Sequence, residues 1–445
     1  MRFASFFGML EHWTGVSPDA PALIHEENGE KRTVSYAQLL AAVRDRAEVL
    51  KSCAGRCEAI LADGSYDCVV EVFAAVDAGL PVALLDANAP DEALTEQLNA
   101  CDAGLVWGDE DLCEELGFAA TGRTEAQLGD VLFFTSGTTH RAKAVVLTEQ
   151  SLCSSAYNGG ALLPLAPSDT LMCMLPLSHV FGFVCGLLWG LSCGACVALG
   201  RGARHYADDL AFFEPTALSA VPLLLGFLVQ RDLLNPSLKL ILVGAGDCPP
   251  LLLALAAAKG IRVSFGYGLT ETSSGVALSL EDDPYAMTVC PDDQIRIAED
   301  GEIVLYAPTC VMKGYYKNSA ATAEVLKDGW LYTGDLGLLD GKGKLHITGR
   351  KKDMLVFSDG TKLFLPEAEA QLSALLPGVD LALAQEKEKV VLHVYAQNGA
   401  TEAEIMNTIK PWQQAHDRSQ QIARAALHES PLPRTATGKV KRWKL

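Results

Sequence analysis

Apolar positions along the first half of the chain recur with two alternating periods. Residues Tyr36–Leu50 read as an amphipathic helix, because Leu39, Leu40, Val43, Ala47 and Leu50 fall on one face at a period of about 3.6. Residues 59–62 form a short apolar run typical of a strand, 68–78 a helix that stops at Gly79, and 81–85 a further strand. Strand and helix taking turns predicts parallel sheets flanked by helices. Residues 131–134 read as a buried strand and 144–147 as the strand that returns, so the polar residues between them form the exposed turn of a hairpin. Further on, residues 240–243 run into Gly244, Ala245 and Gly246, a helix extends to Lys259, and residues 262–265 run into Gly266. Two successive strands ending in glycine turns mark the place where open α/β sheets bind ligands. After the polar segment 349–353 the pattern becomes a smaller α+β one. The predicted fold is therefore α/β: a large N-terminal domain of parallel-rich sheets flanked by helices, over 1–349, plus a small α+β C-terminal domain over 350–445.

Composition narrows the picture. A length of 445 residues suits more than one domain with a large core. A net charge of −19 argues against nucleic acid and an anionic membrane surface as partners, since either needs a basic face. The run 180–199 carries no charge, but its four glycines and its place within an α/β pattern predict a buried helix and strand lining a pocket, with no membrane span. The N-terminus lacks the apolar core of a secretory signal. Thirteen cysteines are an odd number, and Cys68, Cys153, Cys173 and Cys185 lie in apolar runs where a thiol acts as a small hydrophobe. Cys193 and Cys196 have ligand spacing without a second pair. Reduced cysteines in a cytoplasmic protein are the expectation.

The chemistry concentrates in a few segments. The hairpin turn sets the hydroxyls of Thr135, Ser136, Thr138 and Thr139, with Gly137 and Lys143, into one short loop. Backbone amides and hydroxyls there can wrap a polyphosphate while Lys143 supplies a compact charge, although alone the same composition is that of an ordinary surface turn. Then follow Tyr267-Gly-Leu-Thr-Glu271, Tyr332-Thr-Gly-Asp335, Gly349-Arg350 and, near the C-terminus, Pro433-Arg-Thr-Ala-Thr-Gly-Lys439. In this order and spacing the set resembles the adenylate-forming superfamily of acyl-CoA synthetases, amino-acid adenylation domains and beetle luciferases. The resemblance runs from about Thr33 to the last residues.

That resemblance implies ATP as substrate, with Thr135, Ser136, Gly137, Thr138, Thr139 and Lys143 on its β- and γ-phosphates. His140 and Ala144 depart from the family, standing where glycines are usual. Tyr267 is implied beside adenine, Gly268 at close approach to it, Thr270 at the α-phosphate and Glu271 on Mg²⁺, where a carboxylate plus nucleotide phosphates is the usual magnesium shell. The bland alternative makes Thr270 a helix cap with Glu271 in the first turn. Gly244, Ala245 and Gly246 are implied as an adenine-contacting loop. Asp335 is implied on the ribose hydroxyls with Arg350 assisting, Lys352 as the hinge, and Lys439 as the catalytic lysine that bridges the attacking carboxylate and the α-phosphate.

For the acid, Pro176-Leu-Ser-His-Val-Phe-Gly182 matches the segment that walls the family's acyl pocket, giving His179, Val180, Phe181 and Gly182. A satisfied core histidine is the alternative for His179. Amino-acid-activating relatives carry an aspartate near this point, and Ser178 to Gly182 offers none, so a plain fatty or aromatic carboxylic acid is expected. Residues 359–367 look most like the bacterial fatty-acyl-CoA synthetase branch. The implied function is an ATP-dependent acid–thiol ligase with coenzyme A as acceptor. Two alternatives stay open: the phosphopantetheine of an acyl carrier protein as acceptor, and a degenerate nucleotide-binding homologue without catalysis.

Overall fold

The fold is given by a computed structural model. It describes residues 1–445 except 110, 121–123, 128, 136–142, 282, 360, 388, 397–398 and 435–439, and nothing is stated of the side chains of Cys113 and Trp443. The chain divides into two compact units. One comprises Met1–Thr333 with Leu338–His346, the other Gly334–Gly337 with Ile347–Leu445.

Within the first unit, a six-stranded sheet runs in the order Gly314–Tyr315, Lys143–Thr148, Asp130–Thr135, Val82–Leu85, Cys57–Leu61, Ala103–Trp107. Its last four strands are parallel, and the predicted hairpin closes antiparallel with Thr135 paired to Lys143. The helix Tyr36–Leu50 has the expected bounds, starts from a capping box made by Ser35 and Gln38, and buries all five apolar positions named for its face. The run 180–199 resolves into the π-helical segment Gly182–Leu188, the helix Trp189–Ser192 and the strand Cys196–Leu199. Among the described residues no helix is long and apolar enough to cross a membrane.

The larger sheet contains a parallel run in the order Pro21–Glu27, Cys196–Leu199, Thr170–Cys173, Ala217–Ala220, Leu240–Val243, Arg262–Leu269. From Thr170–Cys173 the chain moves to Cys196–Leu199 on one side, then crosses back to Ala217–Ala220 on the other. Strand order therefore reverses at the carboxyl ends of Thr170–Cys173 and Ala217–Ala220, the place where such sheets open a crevice. The strand expected to stop at Gly266 continues to Leu269. Its first half pairs parallel with Leu240–Val243 and its second half antiparallel with Ser274–Ser279, so a change of partner, not a turn, occurs at Gly266.

The second unit is α+β, as its sequence pattern implies. Asp380–Glu386, Lys389–Tyr395 and Ile422–Leu427 form a three-stranded sheet. Leu372, Leu383, Leu392, Ile409 and Trp412 belong to the core beneath it, to which the helix Leu365–Leu375 contributes its buried face.

Candidate functional site

The register of the hairpin fixes the ends of its turn. Thr135 Oγ1 donates to the carbonyl of Lys143 at 3.4 Å, so both residues flank the mouth of the loop. Ser136, Gly137, Thr138, Thr139 and His140 lie outside the described residues. Ala144, the other departure from the family pattern, is buried in regular pairing opposite Phe134 and is not among the residues with positive φ. A side chain there meets no backbone demand for glycine.

Glu271 sits on a single 3₁₀ turn, Thr270–Thr272, between the strands Arg262–Leu269 and Ser274–Ser279. The alternative of a helix capped by Thr270 does not hold: Thr272 Oγ1 accepts from the Leu269 amide at 3.0 Å, and the turn goes no further. Gly268 is explained by its own hairpin, since a Cβ there would lie 1.8 Å from the Ser274 carbonyl. Close approach to a flat ligand is therefore not what requires this glycine. Tyr267 buries its side chain, with 7% exposure.

Tyr315 links this turn to the hairpin, and the motifs did not reveal it. Its strand pairs with Lys143–Thr148, with Tyr315 opposite Val145. Its phenol donates to Glu271 Oε1 at 2.7 Å, and Lys143 Nζ stands 4.7 Å from its ring centroid. Burial, then the Glu271 charge, hold the phenol far above its usual pKa, so it stays a donor. The only hint in the sequence was Gly314-Tyr315-Tyr316, too short a run to read as a strand. Among the described residues no cluster of three metal-ligating side chains occurs. Glu271 offers a hard carboxylate oxygen donor, the chemistry that magnesium takes.

At the carboxyl edge of the larger sheet the predicted pocket and loop residues meet. A Cβ added to Gly244 would lie 3.1 Å from the Phe181 ring, which fixes that ring against the strand end. Ala245, between the two glycines, holds φ at 62°, an uncommon conformation for a residue with a Cβ. Gly182 has no room for a side chain, its Cβ position being 2.2 Å from the Pro176 carbonyl. Here Gly182 also opens the π-helical segment, a backbone irregularity frequent at functional sites. Val180 is buried, whereas His179 is exposed and is not a core histidine. Partial desolvation of the ring, offset in part by Asp86, lowers its pKa and favours the neutral form.

In the second unit Asp335 is buried and its carboxylate meets Arg350 Nε at 3.1 Å. The two implied ribose residues are therefore already paired. Lys352 lies exposed in the 3₁₀ turn Lys351–Asp353. Lys439 falls outside the described residues, but Arg434 and Val440 pair across the segment that carries it. Arg442 ties the end of the chain down through Glu369 at 2.8 Å and Asp353 at 3.3 Å.

Known proteins share both the sequence pattern and this fold. The family model described as AMP-binding enzyme matches residues 10–130 and 130–316. An oxalate–CoA ligase of Arabidopsis thaliana is 30% identical over 345 residues, covering 71% of this chain and 66% of its own. A 2-succinylbenzoate–CoA ligase of Bacillus velezensis is 29% identical over 399 residues, covering 81% and 80%. The O-succinylbenzoate coenzyme A synthetase of Bacillus subtilis in complex with AMP superposes with a TM-score of 0.80 at 26% identity, over 98% of this chain and 97% of that one. The same synthetase with ATP and magnesium ion gives 0.79 at 25%, over 98% of each chain.

Proposed function

The chain belongs to the AMP-binding enzyme family and is an AMP-forming acid–CoA ligase, and we propose that Glu271, Thr270 and Lys439 carry its adenylation step on a fatty or aromatic carboxylic acid. The acid's carboxylate oxygen attacks the α-phosphorus of ATP, and the bond to pyrophosphate breaks. A thiol sulfur then attacks the acyl carbon, its proton passes to solvent, and AMP leaves. The observation that carries the reading is Tyr315, whose phenol and ring face bring the turn holding Glu271 and the strand end holding Lys143 to one place.

Each residue has a physical task. Lys143, with Thr135, Ser136, Gly137, Thr138 and Thr139, holds the outer phosphates. Tyr267, Gly268 and the loop Gly244, Ala245, Gly246 surround the adenine, and Asp335 accepts from the ribose hydroxyls while Arg350 fixes its carboxylate. Glu271 would hold magnesium, which when bound neutralises phosphate charge. His179, Val180, Phe181 and Gly182 wall the acid. Lys439 offsets the charge that builds as two anions approach. Residues 1–349 then form the binding domain and 350–445 a mobile domain, hinged at Lys352, that delivers Lys439. Coenzyme A is the acceptor; a carrier-protein phosphopantetheine is the second candidate. Cysteines free of disulfides among the described residues suit the reducing cytoplasm proposed for it.

The test offers ATP, Mg²⁺ and a panel of acids, first alone and then with coenzyme A or a carrier protein. Acid-dependent pyrophosphate release followed by acyl-CoA is the expected result. Release that leads to thioester only on the carrier protein would reassign the acceptor, and binding of ATP without release for any acid would contradict catalysis.

A further inference from the structure

Two helices on the larger sheet are apolar on the side that faces water. Pro222–Gln230 follows the strand Ala217–Ala220, and Pro250–Ala257 follows Leu240–Val243. Each connects neighbouring parallel strands laid down in one direction, and right-handed crossovers put both helices on one face of the sheet. They lie side by side there, since a Cβ on Gly226 would meet Leu252 Cδ2 at 3.8 Å. Leu224, Leu225 and Leu228 of the first and Leu253 and Ala256 of the second are buried, so the opposite sides should be polar. Instead Leu223 is 82% and Leu251 70% exposed, and one turn further along Phe227 is 41% and Leu255 45% exposed. No residue from 222 to 230 or from 250 to 258 is charged. A contiguous apolar strip of this kind marks an interaction face. Helices of 9 and 8 residues make it about 13 Å long and about 20 Å wide, enough for the apolar core of an interface whose rim is polar.

Charge marks the two ends of the strip with opposite signs. Exposed Asp247 leads into the second helix, and Asp283 stands close by: its carboxylate accepts from the Tyr285 amide at 2.8 Å, while the Tyr285 phenol donates to the Cys248 carbonyl. At the far end Arg231 follows the first helix, Lys259 the second, and Arg262 opens the next strand, all three exposed, with Lys259 paired to Asp232. A lipid surface has nothing to offer the acidic end, and the net charge of −19 opposes an anionic one. A second copy turned by 180° offers acid to base at both ends, with leucine on leucine between.

We propose that this strip is the contact face of a homodimer. The helix pair of one copy lies antiparallel on that of the other about a two-fold axis, so that Asp247 of each approaches Arg231 of its partner. Leu223, Phe227, Leu251 and Leu255 form the core of the contact. The dimer does not depend on the ligase reading, because the strip lies outside the residues assigned to ATP and the acid.

Analytical ultracentrifugation of the full chain over about 1–100 µM, the weak end of the range that interfaces of standard size span, should show the dimer. Leu223→Glu and Leu251→Glu should each raise its dissociation constant by at least about tenfold. The far-UV circular dichroism of these variants should match wild type, since exposed positions tolerate such changes. Arg231→Glu and Asp247→Lys should each weaken the dimer, and the two combined in one chain should restore it, because every reversed charge then meets its opposite again. A monomer throughout the range would overturn the proposal, as would a dimer indifferent to both leucine variants. A double reversal weaker than either single one would overturn the two-fold arrangement. Flotation of monomeric wild type with phosphatidylcholine vesicles, lost in Leu223→Glu, would overturn the dimer in favour of a lipid surface.

Discussion

Tyr315 ties together the two charged side chains on which adenylation is proposed to depend, and its two contacts can be separated. Tyr315→Phe keeps the ring beneath Lys143 and removes only the hydrogen bond to Glu271. Partners that orient a metal-ligating carboxylate are typically worth about 10- to 100-fold in metal affinity. The variant should therefore raise the Mg²⁺ concentration for half-maximal exchange by about tenfold, with little change in melting temperature. A magnesium requirement equal to wild type would show that the hydrogen bond only packs. Glu271→Gln replaces the ligand itself and should cost on the order of 10²-fold in exchange rate with the fold intact, read by single-turnover kinetics and far-UV circular dichroism. The motifs exposed Glu271 and Lys143 in sequence because each stands in a run with a distinctive residue order. Tyr315 stayed hidden because a two-residue strand has no period to detect. Gly268 was visible, but its cause was not: the Ser274 carbonyl that excludes a side chain belongs to a pairing that only the folded hairpin creates.

Elements were legible where one face alone is buried. The helix Tyr36–Leu50 announced itself by its stripe and its Ser35 cap, whereas Arg262–Leu269 changes partner midway, from parallel to antiparallel, and no local pattern records that. The first sheet also holds a buried carboxyl that composition could not place. Glu58, on the strand Cys57–Leu61, is buried beside Glu71, which Arg46 grips through both oxygens at 2.5 and 2.6 Å. Burial and then Glu71 push the Glu58 carboxyl up to about 9 from 4.5, against the pull of Arg46. Since the folded value exceeds the unfolded one, the native state keeps a proton that the unfolded chain sheds. Stability from this group is fully present below about pH 4.5, falls as pH rises, and stops changing above about 9. Glu58→Gln should therefore flatten that decline and stabilise the protein at pH 7 by at most about 3.5 kcal/mol, the interval from 4.5 to pH 7 at about 1.4 kcal/mol per pH unit. Urea melts between pH 5 and 9 check it. Parallel curves for variant and wild type would mean that Glu58 is ionised in the native protein.

For the whole molecule, the smaller α+β character of the C-terminal part was readable because the second unit builds a separate core, around Leu372, Leu392 and Trp412. Less readable was the exchange of short segments at the boundary, where Gly334–Gly337 group with the second unit and Leu338–His346 with the first. The strand Trp330–Leu339 has its middle residues grouped with the second unit and its ends with the first, and apolar alternation does not record such a division. The proposed enzyme uses its two parts in turn. Lys439 acts while carboxylate and α-phosphate approach, then has no task once the acyl adenylate exists. Separating the half-reactions in Lys439→Ala tests this most directly. Adenylation, followed by ATP–pyrophosphate exchange, should fall by roughly 10² to 10³, the scale of one lost electrostatic stabiliser. Thioester formation from synthetic acyl adenylate and coenzyme A should proceed at close to the wild-type rate. Equal impairment of both halves, in a variant that melts like wild type, would contradict a two-step ligase in which this lysine serves adenylation alone.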